Sequence, residues 1–549
     1  MKLFKKILVS ALAFSMVFSL AACGGSGSKA KDDGVIDVCF ASEPGSIDPA
    51  LNATIDGGIM LMHMFEGLYK WEDDGKGNAV LVEGMAEKCE VSEDGTVYTF
   101  TIRKDATWAD GKPVTAHDFE YAWRRLVDPK TASDYSYMLD PVKGCDAAAG
   151  ETDPEISVPD DYTLVVTLDV PTEYFKEVCA FPSLLPVRQD IVEANGDKWT
   201  YEPSTYIGNG AYAMKEWNHN ESITIEKRDD YYDAENVSAP VIKFHLMEDV
   251  NAMYAGYKSG QLDLIQQLPA EEIENLLADG TAESRPYLGD YYISFNTTDN
   301  YDPENPFLDV RVRKAFSLAI DRTFIAEQVR KDGAVPAGAF VPDGMYDAGG
   351  AGTSFREVGK DYLDPSQEAY EKNCEEARKL LAEAGYPNGE GFPQVDYLYN
   401  TDKGHKAIAE ALQNMWNTQL GVNVSLANQD WNVFLEERKE GKFHIARGGW
   451  IADYNDPMCF LDMFISASGN NDPQYSNAEY DALISKAKKT ADNAERMKLM
   501  HQAEDKIMEE DAILAPLFYY TQVDASHLDG VYYTPLGFYF FKNASVVTE

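Results

Sequence analysis

A short stretch near residue 450 combines side chains that could hold a ligand charged at both ends. Arg447 supplies a cation where an alternating apolar run, residues 443–446, predicts the end of a strand. The glycines at 448 and 449 allow close approach of another backbone, and Trp450 offers a flat apolar surface with one N–H donor. Asp453 adds a carboxylate, so the set could bind an extended zwitterion such as a peptide. A strand that leaves the core through a polar loop would have the same residues.

The elements that must position this stretch alternate between strand and helix. Apolar periodicity predicts strands over residues 395–399, 422–427 and 443–446, joined by helices over 406–419 and 432–440. Strands joined by helices imply a largely parallel sheet, in which ligands lie beyond the carboxyl ends of the strands. Five polar or aromatic residues fall near those predicted ends: Asn400, His405, Trp431, Arg447 and Trp450. This convergence favours a binding site over a plain loop.

The composition of the 549-residue chain excludes some partners and predicts several domains. Asp and Glu number 92 against 48 Lys and Arg, so the formal net charge is −44. Such a charge repels nucleic acids and anionic membrane surfaces, and we expect neither to bind the protein surface. The residues after 34 are too many for one ordinary core, so two or three domains are expected.

The N-terminus has the features of an export signal. Three lysines within the first six residues precede an apolar run, residues 7–22, that is too short for a comfortable membrane span. The run ends in Leu20-Ala21-Ala22-Cys23, which resembles the lipobox of bacterial lipoproteins. That resemblance implies a signal peptide over residues 1–22 and a lipid on the sulfur of Cys23. A simple secretory signal cut near Ala22 would leave Cys23 as a free thiol. Residues 23–34 form a Gly/Ser-rich flexible tether.

The sequence offers no familiar catalytic or metal-binding motif. It contains no HExxH, phosphate-binding P-loop, GxGxxG or GxSxG pattern, and six cysteines beyond Cys23 include no C-x-x-C pair. We therefore expect no cofactor, no metal and no enzymatic activity. A surface hydrolase or peptidase that uses cleft carboxylates is the alternative from another class. Disulfides between these cysteines are possible, but the sequence does not pair them.

Seven segments resemble, in order, the oligopeptide-binding proteins of bacterial peptide ABC importers, which are family 5 extracellular solute-binding proteins of the peptide/nickel type. Any one segment is a weak signal, but the ordered set is highly specific. Two of the segments are VRVRKAFSLAIDR (310–322) and ARGGWIADYNDP (446–457). The others cover residues 42–49, 65–68, 108–119, 209–212 and 377–386. The segment at 446–457 resembles the oligopeptide branch more than the dipeptide or nickel branches. Dipeptide, nickel and signalling-peptide receptors of the same family remain alternatives.

The resemblance implies an α/β, two-lobed periplasmic-binding-protein fold of the large type, with an inserted third domain and a ligand cleft between the lobes. Lobe I would comprise residues 35–66, 199–285 and 512–549, domain II residues 67–198, and lobe III residues 286–511. Such proteins enclose a peptide as an added strand by hinge closure. The resemblance also implies a monomer that delivers its peptide to the permease and ATPase subunits of an importer.

The family pattern assigns roles to individual residues of this sequence. The position of Asp453 implies an ion pair with the α-ammonium of the peptide. Three groups of further positions are implied: backbone contacts at Gly449, Ile451 and near Ile55; the C-terminal carboxylate at Arg447, Arg438 and His405; and side-chain pockets at Tyr135, Asn400, Trp431 and Trp450. Taken as residues alone, Arg438 and His405 could equally be solvent-facing helix residues, and Trp431 and Tyr135 could be core aromatics.

Two departures from the family pattern limit these implications. Some members join two strands by a disulfide at the positions of Gly289 and Ile451, and neither residue is cysteine here. The segment around Ala53 lacks a carboxylate that some members carry, so a preference for basic side chains is not implied.

Overall fold

The computed structural model describes residues 34–41, 43–147 and 149–547, and an eleven-stranded sheet is its largest element. In chain order the strands are β1 (Val35–Cys39), β2 (Tyr212–Asn218), β3 (Ser222–Lys227), β4 (Val241–His245), β5 (Leu264–Ile265), β6 (Ala282–Phe295), β7 (Val335–Pro336), β8 (Val395–Asn400), β9 (Val424–Gln429), β10 (Ile445–Ile451) and β11 (Leu514–Ser526). They lie side by side in the order β2-β3-β4-β1-β5-β11-β6-β10-β8-β9, and β7 pairs with β11.

Two long antiparallel strands, β6 and β11, run through both halves of this sheet. β6 has 14 residues and β11 has 13. β11 pairs with β5 on one side of the sheet, while β6 pairs with β10 on the other. Their mutual register shifts between Pro286 and Asp290, where the ladder passes from one half to the other. The result is a two-lobed α/β fold in which these two long strands run through both halves.

The helices pack on both halves. Those of nine or more residues in the described part are α1 (Ile55–Met64), α2 (Ala116–Val127), α3 (Val250–Lys258), α4 (Ala270–Asp279), α5 (Val310–Leu318), α6 (Gln367–Glu383), α7 (Lys403–Leu420), α8 (Trp431–Lys439), α9 (Ala478–Lys488) and α10 (Asn493–Asp505). Shorter α-helices are Phe175–Val178, Gln189–Asn195, Arg322–Phe324, Phe355–Val358 and Met458–Leu461.

A separate four-stranded sheet lies in the segment between β1 and β2. Its strands, in spatial order, are Ala86–Val91, Val97–Ile102, Thr163–Thr167 and Ile156–Asp160. Two-stranded ribbons are Tyr69–Asp73 with Ala79–Glu83, Cys145–Asp146 with Glu151–Thr152, Tyr346–Asp347 with Gly350–Ser354, Leu528–Asp529 with Ser545–Val546, and Tyr532–Tyr533 with Tyr539–Phe540. The domain boundaries given above stay predictions.

The second half of the main sheet has the predicted parallel arrangement. β8 pairs in parallel with both β9 and β10. Helix α7 connects β8 to β9; it starts where the Asp402 carboxylate accepts the His405 backbone N–H at 2.9 Å and ends at Gly421, whose φ is 71°. Its apolar face, centred on Leu412 and Trp416, packs against the core of this half. Because β8 and β9 are parallel and in register, their carboxyl ends lie at the same edge of the sheet.

Three features of the described residues bear on the expectations from sequence. All six cysteines among them are free. Gly289 and Ile451 are direct register partners across β6 and β10, so the strands are joined there by backbone pairing alone. In the described part no helix is both long and apolar enough to cross a membrane. Cys23 and the predicted signal peptide and tether up to residue 33 lie outside the described residues.

Candidate ligand-binding cleft

Strand β10 carries several residues of the candidate site, and it is longer than predicted. The expected strand over 443–446 was wrong at its end, because antiparallel pairing with β6 continues through Gly289 opposite Ile451. Arg447 therefore lies inside the strand, and Gly449 and Trp450 are strand residues. The two glycines leave room for neighbouring tyrosine side chains, rather than for the close approach of another backbone. The ring of Tyr292 lies against Gly448, and the hydroxyl of Tyr520 against Gly449, where a Cβ atom would collide.

Arg447 forms the cationic end of the cleft. Its side chain is only 8% exposed, and Nε donates a hydrogen bond of 2.8 Å to Oδ1 of Asn400 at the end of β8. The guanidinium carbon lies 5.2 Å from the ring centroid of Phe434, 5.5 Å from Trp431 and 5.9 Å from Tyr291. No carboxylate of the described residues pairs with it. A buried guanidinium that has no anionic partner and is surrounded by aromatic rings is suited to bind an anion.

His405 and Arg330 lie beside this cationic end. Nδ1 of His405 is 3.4 Å from the Tyr291 hydroxyl. Burial, together with the positive charges of Arg447 and Arg330, lowers the pKa of His405 to about 4, although the Asp402 carboxylate opposes this shift. His405 is therefore neutral near pH 7 and offers a hydrogen bond rather than a charge. Arg330 was missed by the sequence analysis, since it ends the helical turns Ile325–Arg330 with no spacing that links it to the other residues.

Asp453 forms the anionic end. Its side chain is 7% exposed, and Tyr137 donates a hydrogen bond of 2.5 Å to its Oδ2. The pKa of Asp453 is raised to about 7, mainly by burial and also by the negative charge of Asp462, while hydrogen bonds from Tyr137 and Tyr135 oppose the shift. No cationic side chain of the described residues pairs with Asp453. The cleft thus has an uncompensated carboxylate at one end of β10 and an uncompensated guanidinium towards the other.

Two neighbouring cavities lie at the anionic end of the cleft, and Asp453 lines the first of them. The first, of about 160 Å³, is lined by Asp453, Gly449, Trp450, Ile451, Ile55 and Tyr135, among others. The second is wider, about 460 Å³, and shares Ala53, Tyr135 and Trp450 with the first. The indole N–H of Trp450 is buried without an acceptor among the described residues. Space beside Asp453 is therefore available for the first residues of a ligand.

The structure divides the predicted site residues into three groups. Asn400, His405, Trp431 and Arg447 meet at the cationic end. Asp453, Trp450, Ile451, Gly449, Ile55 and Tyr135 line the first cavity. Arg438 packs on the same Phe434 ring as Arg447, with its guanidinium carbon 5.1 Å from the ring centroid. It also lines the wall of the second cavity, where its Nε is 2.8 Å from Oδ2 of Asp472. Its charge is already compensated, unlike that of Arg447. Trp431 is 49% exposed, so it is not a core aromatic.

The comparisons with known proteins agree with this architecture. Residues 80–472 match the family model of bacterial extracellular solute-binding proteins, family 5. The chain belongs to this family. It is 36% identical to the dipeptide-binding protein DppE and 35% identical to the oligopeptide-binding protein OppA of Bacillus subtilis, covering 98% of this chain and 98% of each relative. These relatives are binding proteins rather than enzymes, so the hydrolase alternative is set aside, and the chain is an extracytoplasmic solute-binding protein.

Two solved structures show which conformation the described chain resembles. Haemophilus influenzae OppA in complex with the peptide RPPGFSPFR has a TM-score of 0.81 and 31% identity, covering 95% of this chain and 100% of that one. The unliganded open form of the murein tripeptide-binding protein MppA has a TM-score of 0.69 and 32% identity, covering 96% and 99%. The two lobes here lie closer to the arrangement in the peptide complex.

Proposed function

We propose that this protein binds oligopeptides in the cleft between its lobes and delivers them to a peptide ABC importer. The observation that carries the proposal is the pair of buried, unpaired charges, Asp453 and Arg447, on one stretch of chain. Burying a single charge is costly unless a partner arrives. A zwitterion supplies both partners at once, the ammonium at Asp453 and the carboxylate at Arg447. The names of the relatives DppE and OppA, and the peptide held by the H. influenzae protein, support a peptide as that zwitterion.

The ligand proposed here lies extended along β10. Backbone groups at Gly449 and Ile451 border the first cavity, where an added strand can pair with them. Arg447 and Asp453 are six positions apart in the sequence, which favours an oligopeptide over a dipeptide. Arg330 and His405 extend the polar surface past Arg447 for ligands of other lengths.

The proposal includes the cellular setting of the protein. Lipid on Cys23 would hold a monomer on the outer face of the cell membrane, and residues 23–34 would act as its tether. In that position the closed, loaded protein can present its peptide to the permease and ATPase subunits of the importer.

Mass spectrometry of the purified protein tests the proposal directly. The native protein should release intact peptides with free termini when it is denatured. Peptides from that set then serve as probes for calorimetry with four combinations: wild type or Asp453→Asn, each with a free or an N-acetylated peptide. Each single change should weaken binding by roughly a hundredfold or more, because it leaves one buried charge unpaired at a cost of about 3–5 kcal/mol. The two changes together should be less than additive.

A matched control is Asp134→Asn, which removes an exposed carboxylate on the wall of the second cavity. It should leave affinity for free peptides unchanged. Equal binding of free and acetylated peptides by the wild type would show that Asp453 does not hold the α-ammonium. Recovery of cleaved products after incubation with a peptide mixture would contradict a binding function altogether.

A further inference from the structure

A contact that touches neither cavity joins the four-stranded-sheet unit to the second half of the main sheet. On one side are Tyr174 and Glu177, at the start of and within the short helix Phe175–Val178. On the other are Tyr454 and Asn455, which follow β10. The rings of Tyr174 and Tyr454 stack with centroids 4.3 Å apart and planes 6° apart. We call these four residues the clasp.

The polar half of the clasp is preorganised on the Asn455 side. The backbone N–H of Asn455 donates to Oε2 of Glu177 at 2.9 Å. Asn455 is fixed on its own side, because its Oδ1 accepts the Tyr346 N–H at 2.9 Å and its Nδ2 donates to the Gly344 carbonyl at 3.2 Å. Little conformational entropy is therefore lost when the N–H meets Glu177.

The stacked rings of the clasp have a further contact, with the guanidinium of Arg496. The guanidinium carbon of Arg496 lies 5.8 Å from the centroid of the Tyr174 ring, and Arg496 is itself held by a buried ion pair with Asp456. Tyr454 is buried, and none of the four clasp residues lines either cavity beside Asp453. The stacked rings and the Glu177 hydrogen bond therefore join the two units without any contribution from a ligand.

We propose that the clasp holds the cleft closed before a ligand is bound and that it determines affinity without touching the ligand. Contacts made only in the closed form lower the free energy needed to close the cleft, so less of the ligand's binding energy is used for closure. The clasp residues Tyr454 and Asn455 directly follow Asp453 in sequence. On the other side, Tyr137 of the four-stranded-sheet unit donates a hydrogen bond to Asp453. Closure thus assembles the anionic end of the cleft in the same step. The effect on affinity rests on the proposed function, but the closed resting state does not.

Small-angle scattering without any peptide tests the clasp. The protein is unfolded in denaturant, freed of bound peptide and refolded, and the radius of gyration is measured for wild type, Tyr174→Ala, Tyr174→Phe and Tyr174→Ala/Glu177→Ala. Loss of the stack should shift the equilibrium towards the open form by roughly tenfold, and loss of both contacts by more. We expect the double variant to be larger than the wild type, and Tyr174→Phe, which keeps the stack, to match the wild type.

The control is Tyr201→Ala, which removes a 52% exposed aromatic residue away from the clasp and should leave the radius unchanged. A double variant as compact as the wild type would overturn the proposal, as would an unliganded wild type as expanded as that variant. If the variants do not fold, hydrogen exchange of the wild type decides. Slow exchange of the Asn455 backbone amide without peptide supports the clasp. Exchange as fast as that of an unprotected amide in an unfolded chain overturns it. Because no peptide is used, a failure of peptide binding leaves these results readable.

Discussion

The ionisation of Asp453 should differ between the empty cleft and the cleft with a bound peptide. In the empty cleft Asp453 is buried, and its side-chain donors among the described residues are the hydroxyls of Tyr137 and Tyr135. The negative charge of Asp462 opposes its ionisation. Lys488, the cation in this region, lies 3.3 Å from Asp462 and compensates that residue instead. A bound ammonium next to Asp453 would favour the ionised form and lower its pKa from about 7.

Peptide affinity should therefore depend on pH. Below about pH 7 the empty protein must release a proton from Asp453 before an ammonium can pair with it. Affinity should fall by up to about tenfold per pH unit as the pH is lowered from 7 towards 5, since one proton is displaced per ligand. Calorimetry at pH 7.5, 6 and 5 in two buffers of different ionisation enthalpy would measure both effects. Asp453→Asn should bind weakly with no such dependence, and constant wild-type affinity over this range would contradict the assignment.

At the residue scale, the sequence predicts the two charged ends of the cleft but misses other residues of the site. Arg447 and Asp453 fall at the end of a predicted parallel strand, where side chains of several elements must converge, and they match a specific family pattern. Arg330 carries no such signal, because its place beside His405 depends on how a distant helix packs. The ion pair that compensates Arg438 is equally hidden, since Asp472 lies in a separate loop.

The crossing strands β6 and β11 contain an unusual buried carboxylate. Asp290 is fully buried next to the register shift, and neither of its oxygens has a partner with good hydrogen-bond geometry among the described residues. The backbone of Trp450 is close enough to favour the ionised form, but its effect on the pKa is smaller than that of burial. Burial, more than the nearby charge of Glu504, raises the pKa of Asp290 well above the usual range. At pH values between the unfolded-state pKa, near 3.9, and the raised folded-state pKa, the folded protein therefore holds a proton that the unfolded chain releases.

Stability should depend on this proton. A carboxyl with a raised pKa contributes most at low pH, and its contribution is lost as the pH rises from about 4 through the folded-state pKa. Asp290→Asn should gain stability relative to the wild type between pH 5 and 8, by at most about 1.4 kcal/mol per pH unit. Urea unfolding at both pH values measures this difference, with Asp134→Asn as an exposed control. A constant difference between Asp290→Asn and wild type would show that Asp290 is ionised in the fold.

The length of β10 leads to a prediction about ligand length. Six residues in an extended chain span at most about 20 Å, so a peptide that reaches both Asp453 and Arg447 has on the order of five residues. Calorimetry on a series from two to eight residues with a common N-terminal sequence should show affinity rising to about five residues. Amidating the C-terminus should cost most near that length, and Arg447→Gln should remove that cost. A dipeptide that binds as tightly as the pentapeptide would indicate a different site for the carboxylate.

Among the elements, periodicity predicts α7 and β8 well because each has one clear buried face bounded by capping or turn residues, such as Asp402 and Gly421. It fails at the end of β10. Glycine and a charged residue there interrupt the apolar alternation, and only the antiparallel partner β6, about 150 residues earlier in the chain, keeps the segment extended. Long-range pairing of this kind leaves no local signal.

At the scale of the whole molecule, chain length predicts several domains, and the ordered family segments predict two lobes with a cleft. Neither predicts how the halves are joined. The crossing of β6 and β11 and the contact of Tyr174 with Tyr454 depend on residues far apart in the chain. The same scale includes the N-terminal segment, for which the sequence is the only guide.

The final prediction concerns attachment of the whole molecule to the membrane. Leu20-Ala21-Ala22-Cys23 after an apolar run predicts lipid on Cys23, and stable attachment needs more than one acyl chain, as a lipoprotein anchor provides. Cys23→Ala should therefore appear in the medium or accumulate as uncleaved precursor, as fractionation and mass spectrometry of the N-terminal peptide can show. Cys89→Ala, a partly exposed cysteine of the four-stranded sheet, is the matched control and should remain on the membrane. Correct cleavage of Cys23→Ala with unchanged membrane retention would mean that another part of the chain holds the protein there. The proposed delivery of peptides to the importer would then need a docking contact in place of the tether.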